Sequence, residues 1–198
     1  MVPRAMKKSE VPRTAVLKCH PDTSSEAVCG IEARLDRSDS GSLAVNYILT
    51  GEMARLRIPP GREPRRTDRL WERTCFEAFV RVTGTSEYCE FNFSPSGEWA
   101  IYAFRRYREG APLLGEAPMP EITVQSDENS LTLNAIIRLD HLPLMQPGAA
   151  LSLALSAVIE EHTGMFSYWA LRHPTGKPDF HHPDSFALEL EPVDLEGR

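Results

Sequence analysis

Residues 70–107 alternate apolar and polar side chains in three consecutive runs, which is the pattern of strands that bury one face. The runs cover residues 74–83, 86–93 and 98 to about 107. A Gly-Thr pair separates the first two runs, and the turn sequence Ser-Pro-Ser-Gly separates the last two. Because such short turns join neighbouring antiparallel strands, the stretch predicts a three-stranded meander.

The two turns predict which residues face each other across the strands. A two-residue loop at Gly84-Thr85, with glycine first, suits a type II′ hairpin, so Phe76 faces Phe93 and Glu77 faces Asn92. A two- or four-residue loop at the second turn places Asn92 opposite Trp99. One face of the meander is then apolar and belongs in the core, while the other face carries the row Glu77, Asn92 and Trp99.

This row combines a carboxylate, a carboxamide and an indole, and Glu90 lies on the same face. Acceptors and donors of this kind bind hydroxyl groups, and a flat ring packs on the C–H face of a sugar, so the row suits a polyhydroxylated ligand. The alternative is a solvated sheet face with ordinary cross-strand pairs. A bulge in either hairpin would shift the register and dissolve the row.

Strand patterns recur at short intervals along the rest of the chain. Further strands are predicted at residues 14–20, 28–36, 42–50, 53–58, 121–126, 131–139, 150–161 and 185–190. A short helical turn is predicted at residues 140–145, between a capping Asp140 and the stop signal Pro147-Gly148. About eleven strands and at most one short helical turn predict an all-β fold, an antiparallel β-sandwich, with a closed barrel as the alternative.

The chain length suits one large β domain. We expect that domain at residues 12–192, between a flexible leader at residues 1–11 and a tail at residues 193–198. Arginines crowd the loop that opens at residues 59–61, and they are Arg55, Arg57, Arg62, Arg65, Arg66, Arg69 and Arg73. Their guanidinium groups could hold a phosphate or carboxylate, although a solvated loop with acidic neighbours is the more common arrangement.

Composition narrows the classes of function. The 198 residues are 41% hydrophobic and 25% charged, which is ordinary for a globular protein. A net charge of −6 disfavours a nucleic-acid partner, and no apolar run has the length of a transmembrane helix, so no membrane partner is expected. No export signal is recognisable, which predicts a cytoplasmic protein with reduced thiols. The four cysteines match no zinc pattern, and Cys75 and Cys89 are predicted on opposite sheet faces.

Residues 167–186 form the second unusual stretch because they concentrate chemically versatile side chains. These are Trp169, His173, Asp179, His181, His182 and Asp184. Several prolines indicate a structured loop, so its histidines could simply bond the loop backbone. They could also contact a small ligand, or His173, Asp179 and one of His181 and His182 could bind zinc. We assign no metal ligand on this evidence.

Three segments together resemble the bacterial DOMON-like proteins, relatives of the family 9 carbohydrate-binding modules. They are LWERTCFEAFV at 70–80, YCEFNFSPSGEWAIYAF at 88–104 and SYWALRHPTGKPDFHHPDSF at 167–186, and the resemblance spans residues 12–192. It implies a β-sandwich that binds a sugar or haem and performs little chemistry. For a sugar it implies stacking on Trp71, Trp99 and Trp169. For haem it implies axial Met and His ligands, for which Met165 and the loop histidines are the candidates.

The favoured hypothesis is therefore a non-catalytic module that binds a small molecule, most simply a sugar. Its candidate ligand-binding residues are Trp71, Glu77, Glu90, Asn92, Trp99, Trp169, His173, Asp179, His181 and His182. The hypothesis requires the 167–186 loop to converge on the row described above.

Three other functions remain open on the sequence. A hydrolase could use Glu77 and Glu90 as its carboxylate pair, although the chain carries no GxSxG, P-loop or HExxH motif. The second is a haem-binding or redox domain, and the third is an interaction domain that uses an edge strand. Oligomeric state and ligand identity do not follow from the sequence.

Overall fold

The computed structural model describes residues 13–38, 41–113, 118–142, 144–146 and 148–193. The predicted leader at residues 1–11 lies outside these ranges, as do residues 194–198 of the predicted tail and Pro147 of the predicted helix stop. None of the helices in the described ranges is both long and apolar enough to cross a membrane.

Twelve strands form in the part of the chain that the structure describes. They are β1 (Arg13–Cys19), β2 (Val28–Arg37), β3 (Ser42–Gly51), β4 (Cys75–Val82), β5 (Tyr88–Phe93), β6 (Trp99–Arg106), β7 (Glu109–Ala111), β8 (Glu121–Ser126), β9 (Ser130–Arg138), β10 (Leu151–Glu160), β11 (Phe166–Ala170) and β12 (Leu188–Leu190). Helical structure there is limited to 3-10 turns at Met53–Arg55, Leu70–Glu72, Leu139–His141 and Pro183–Ser185.

The strands build two antiparallel sheets that pack face to face, which confirms the predicted β-sandwich. The first sheet has the order β1-β2-β3-β9-β8, and the second has the order β7-β6-β5-β4-β10-β11, with β12 paired to β10. Strand β1 joins them, because Arg13 to Leu17 pair with β2 while Lys18 and Cys19 pair with β11. One core cluster draws buried side chains from both sheets.

The strand predictions fail where the apolar pattern is short or interrupted. Residues 53–58 form a 3-10 turn and an isolated bridge rather than a strand. Strand β7 forms where no strand is predicted, and β11 overlaps the segment predicted to be a loop. Both are short, and β11 carries aromatic residues on both of its faces, which hides the alternation.

The two sheets differ in how they meet solvent. Strands β3 and β9 of the first sheet alternate buried and partly exposed residues, so the outer face of this sheet contacts solvent. In the second sheet, β5 and β10 are buried at every position and β4 at all but its last two. Strands buried on both faces need a cover on each side. The first sheet covers one face, and the chain after β11 covers part of the other.

The register of the central meander is correct for one hairpin and wrong for the other. Across β4 and β5, Phe76 pairs with Phe93 and Glu77 with Asn92, as predicted, although the turn is centred one residue earlier, with Thr85 N donating to Val82 O. Across β5 and β6, however, Asn92 pairs with Ala100 rather than with Trp99.

An odd-numbered loop causes the shift. Ser94 N donates to Glu98 O at 2.9 Å, which leaves three residues in the loop, and Gly97 takes the positive φ of 87° that closes such loops. A shift of one residue moves every side chain of β6 to the opposite face. Trp99 therefore lies in the core between the sheets, 6% exposed, and the predicted row Glu77, Asn92 and Trp99 does not exist.

We predict that Trp99→Ala lowers the free energy of unfolding by about 3–5 kcal/mol, because it deletes a large buried side chain and leaves a cavity. Trp71→Ala is the matched control, since Trp71 is 40% exposed, and its cost is expected to stay below about 1 kcal/mol. Urea denaturation of both variants measures the difference. Equal destabilisation by the two variants would contradict the core position of Trp99.

Candidate functional site

A cavity of about 410 Å³ lies on the outer face of the second sheet, beneath the segment that follows β11. Its walls come from five strands, from the turn before β4 and from that covering segment. The lining residues are Trp71, Glu77, Phe79, Glu90, Tyr102, Phe104, Arg108, Val158, Tyr168, Pro178, Phe180 and His181. The volume falls within the range of small-molecule sites.

Two carboxyl groups line the cavity from adjacent strands. Glu77 on β4 lies between Asn92 of β5 and Ser156 of β10, and its Oε2 accepts a hydrogen bond from Ser156 Oγ at 3.1 Å. Glu90 on β5 accepts a hydrogen bond at Oε1 from Asn92 Nδ2 at 2.7 Å. Glu77 is 3% exposed and Glu90 is 5% exposed, so both acids are almost entirely withdrawn from water.

Burial makes both acids reluctant to ionise. Desolvation, and then the neighbouring Glu90 carboxylate, raise the pKa of Glu77 to about 8. Desolvation also raises the pKa of Glu90, although the hydrogen bond from Asn92 and the charge of Arg108 oppose the rise. The two groups interact, so their protons leave in steps that belong to the pair, and Glu77 is mostly protonated at pH 7.

The covering segment, residues 171–187, is fastened to the sheet through Asp179. Arg108 Nη2 and Tyr107 OH each donate to the Asp179 carboxylate at 2.7 Å. Burial alone would raise the pKa of Asp179, but these two hydrogen bonds and the Arg108 charge outweigh it and lower that pKa. Asp179 therefore stays ionised and clamps the segment over the cavity.

His181 reaches from the covering segment toward the carboxyl pair. Tyr88 OH lies 2.8 Å from His181 Nδ1 and also accepts the amide of Arg108, so its own proton is available to Nδ1. The Nε2 proton then points toward Glu90 Oε2, 3.5 Å away. Desolvation and the Arg108 charge lower the pKa of His181 to about 4, so the imidazole is neutral at pH 7.

Aromatic side chains supply most of the remaining wall. Tyr102 and Phe104 project from β6, Tyr168 from β11 and Phe180 from the covering segment. Trp71 stands at the rim, where its ring meets Tyr102 edge-on at 5.6 Å between centroids. A flat apolar surface of a ligand can thus lie against these rings while its polar groups contact Glu77 and Glu90, which form the floor of the cavity.

The structure brings four of the ten predicted site residues to this cavity: Trp71, Glu77, Glu90 and His181. Asn92 and Asp179 do not line it, but each supports a lining residue, through the hydrogen bonds to Glu90 and Arg108. The 167–186 loop therefore does reach the polar face of the meander. The contact is made by His181 with Glu90, not with the predicted row of Glu77, Asn92 and Trp99.

The other four predicted residues lie elsewhere. Trp99 packs in the core, and so does Trp169, which faces the core on β11 and donates from Nε1 to Ser167 Oγ at 3.0 Å. His173 borders a separate depression of about 530 Å³ and bonds the Lys18 carbonyl at 2.8 Å. His182 accepts the amide of Asp184 at 3.2 Å and so caps a 3-10 turn.

The loop histidines do not assemble the zinc site considered above, because His173 and His181 border different cavities. Among the described residues, no group of three or more His, Cys, Asp or Glu side chains is placed to hold a metal ion. The cavity does not fit haem either. His181 lines it, but its ring nitrogens face Tyr88 and Glu90, and Met165 is 52% exposed and does not line the cavity.

The arginine cluster does not present free guanidinium groups. Each of its seven members forms an ion pair with an acidic side chain, the partners being Glu26, Glu52, Glu72, Glu98, Glu160, Glu161 and Asp68. This arrangement favours the structural interpretation of the cluster over an anion site.

Eight lining residues escaped the sequence analysis, and they are Phe79, Tyr102, Phe104, Arg108, Val158, Tyr168, Pro178 and Phe180. The period-two pattern could have found Phe79, which shares the face of Glu77 on β4. With the correct register of β6, Tyr102 and Phe104 follow by the same reasoning. The residues of β10, β11 and the covering segment depend on long-range pairing that no local pattern reveals.

Neither the protein-family models nor the curated proteins include a match to this chain. Solved structures do resemble it. A putative carbohydrate-binding protein from Bacteroides uniformis ATCC 8492 is 18% identical with a TM-score of 0.65, over 87% of this chain and 83% of that chain.

A family 9 carbohydrate-binding module from Caldicellulosiruptor kristjanssonii, solved with cellotriose, is 10% identical with a TM-score of 0.53, over 83% of this chain and 75% of that chain. Its complex with glucose gives 10% identity and a TM-score of 0.53, over 88% and 83%. At these identities the likeness establishes a shared fold.

We predict that Glu77 makes stability fall as pH rises. Its folded pKa of about 8 lies above the ordinary value of 4.5, so between these pH values the folded protein holds a proton that the unfolded chain has lost. Glu77→Gln cannot ionise, so its stability relative to wild type should rise from pH 4 to pH 9 by roughly 4–5 kcal/mol, since each unit of pKa shift is worth about 1.4 kcal/mol. Urea denaturation across that range measures the change.

Glu32→Gln is the control for this prediction, because Glu32 is exposed on β2 and the substitution alters the net charge equally. Its stability relative to wild type should not depend on pH in the same way. Parallel pH profiles for the two variants would show that Glu77 is not perturbed.

Proposed function

We propose that this chain is a non-catalytic binding module whose cavity takes a sugar or a similar polyhydroxylated ring. The observation that carries the proposal is the combination, in one cavity, of aromatic walls with a buried pair of carboxyl groups. The fold supports it, because the similar structures include a module solved with glucose and with cellotriose. A DOMON-like assignment is the narrower form of the same proposal.

The polar groups of the cavity suit hydroxyl recognition. A sugar hydroxyl donates one hydrogen bond and accepts others, so its site needs donors and acceptors side by side. A protonated Glu77 can donate while the other carboxyl oxygens accept, and His181 Nε2 adds a donor beside Glu90. Each bond forms in a space shielded from water, where an unmatched polar group is costly.

The aromatic groups suit the ring of the ligand. Trp71 and Tyr102 form one corner of the rim, and Tyr168 and Phe180 lie 6.2 Å apart between ring centroids on the loop side. A pyranose ring has apolar C–H faces that pack against such surfaces. The ligand is therefore expected to lie with a face on the rings and its hydroxyl groups toward Glu77 and Glu90.

A hydrolase remains the second candidate, because Glu77 and Glu90 line the same cavity. Glycosidases keep one carboxyl protonated as the acid and the other ionised as nucleophile or base. Here both groups are almost entirely buried and burial raises the pKa of each, so they lack the contrasting environments that separate an acid from a nucleophile or base, which favours binding over hydrolysis. Incubating the protein with cellotriose and analysing the products separates the two functions, since a binding module leaves the trisaccharide intact.

We predict that glucose or cellotriose changes the fluorescence of Trp71 in a saturable manner. Trp71 is 40% exposed at the cavity, whereas Trp99 and Trp169 are 6% and 7% exposed in the core, so a ligand in this cavity acts on Trp71. Trp71→Ala should remove the signal and weaken binding in calorimetry about tenfold, which is about 1.4 kcal/mol.

Val16→Ala is the control, because Val16 is exposed on β1 of the other sheet. It should bind as wild type does. Unaltered affinity in Trp71→Ala, or no binding of any sugar by the wild-type protein, would overturn the proposed function.

A further inference from the structure

The buried glutamates fall into two groups, which differ in whether an arginine pairs with them. In the part of the chain that the structure describes, five glutamates are 6% exposed or less, and they are Glu77, Glu90, Glu98, Glu160 and Glu161. Three of these form ion pairs with arginines: Glu98 with Arg62 and Arg65, Glu160 with Arg57 and Arg73, and Glu161 with Arg55. Among the described residues, neither of the two that line the cavity forms an ion pair with arginine or lysine.

Glu98 shows what the arginine pairing achieves. Burial alone would raise its pKa, but hydrogen bonds from Arg65, Ser96 and Thr67 outweigh the burial and lower the pKa of Glu98. Buried carboxylates are costly unless an opposite charge and hydrogen bonds compensate them. Glu98 thus has arginine partners that compensate its burial, whereas Glu77 and Glu90 have no such partner among the described residues.

The basic side chains near the carboxyl pair either pair with another acid or are neutral. Arg108 lines the cavity, but its Nη2 binds Asp179 at 2.7 Å, so that charge is largely balanced. His181 is neutral because burial lowers its pKa to about 4. Within the described chain, no residue donates a hydrogen bond to Oε1 of Glu77, whose Oε2 is bonded to Ser156.

An ammonium group on the ligand would supply the positive charge that Glu77 and Glu90 lack among the described residues. It carries one positive charge and three donors, which match free acceptor positions on Glu77 and Glu90. The aromatic walls act in the same direction, because ring faces attract cations, and more strongly so away from water. A neutral sugar leaves the carboxyl pair without an opposite charge.

We propose that the cavity selects amino sugars, with the protonated amine of the sugar bound between Glu77 and Glu90. The inference rests on the proposed function, because the sugar ring is taken to lie against the aromatic walls. It goes further by assigning the two carboxyl groups to a cationic substituent rather than to hydroxyl groups alone.

Calorimetric titration at pH 7 with four sugars tests the inference. The probes are glucose, glucosamine, 6-amino-6-deoxyglucose and N-acetylglucosamine, in which the acetyl group removes the charge. At least one amino sugar should bind about tenfold or more tightly than glucose, as expected for hydrogen bonds to charged groups. N-acetylglucosamine should show no such gain.

Glu77→Gln provides the second arm, since it keeps the shape of the side chain and removes its charge. The preference for the amine should shrink about tenfold in this variant, while glucose affinity changes less. Glu32→Gln alters the net charge equally at an exposed site on β2 and should keep the preference. Cooperative urea denaturation of each variant establishes that it is folded.

The outcomes separate this inference from the proposed function. Equal affinity for glucose and for both amino sugars overturns the amine inference and leaves the sugar-binding function standing. An amine preference that survives in Glu77→Gln also overturns it. Binding of none of the four sugars overturns both proposals.

Discussion

Strands β4, β5 and β10 are buried on both faces, and this double burial is the constraint on which the site depends. The first sheet covers one face with ordinary apolar packing. The other face carries carboxyl groups, so its cover cannot be a close-packed apolar layer without leaving buried polar groups unpaired. The covering segment meets this face only partly, and the remaining space is the cavity.

The anchor of the covering segment is itself electrostatic. Asp179 accepts hydrogen bonds from Tyr107 and Arg108, while Tyr88 holds His181 over Glu90. These contacts tie the segment to the end of β6 and to β5. Asp179 balances the charge of Arg108, and burial keeps His181 neutral. Neither group therefore acts as a cationic partner that would neutralise Glu77 and Glu90.

The sequence predicted the sandwich and part of the site, because both follow from period-two alternation. Glu77 and Glu90 were found on one face of the meander since the β4–β5 register follows from a short turn. Trp99 was misplaced because three residues, an odd number, close the next turn, and side-chain parity changes with each added residue. The position of Trp169 is wrong because the local pattern over β11 predicts a loop rather than a strand.

Other features lay beyond local patterns altogether. Arg108 and Tyr168 reach the cavity through the positions of β6 and β11 in the sheet, which depend on pairing between distant segments. Local sequence patterns also do not show which buried glutamates pair with arginine. Sequence showed many arginines and glutamates, but only the tertiary structure shows that Glu98 and Glu160 have arginine partners and Glu77 has none among the described residues.

The cavity holds two buried carboxyl groups for which the described residues supply no balancing Arg or Lys. Carbon-13 NMR of the glutamate side-chain carboxyl carbons, followed across pH in the free protein, measures this directly. We expect Glu77 to titrate near pH 8 and Glu90 to titrate above its ordinary value, while Glu98 titrates below its own. Titration of both Glu77 and Glu90 near the ordinary pH of 4.5 would show instead that the two carboxyl groups are not perturbed.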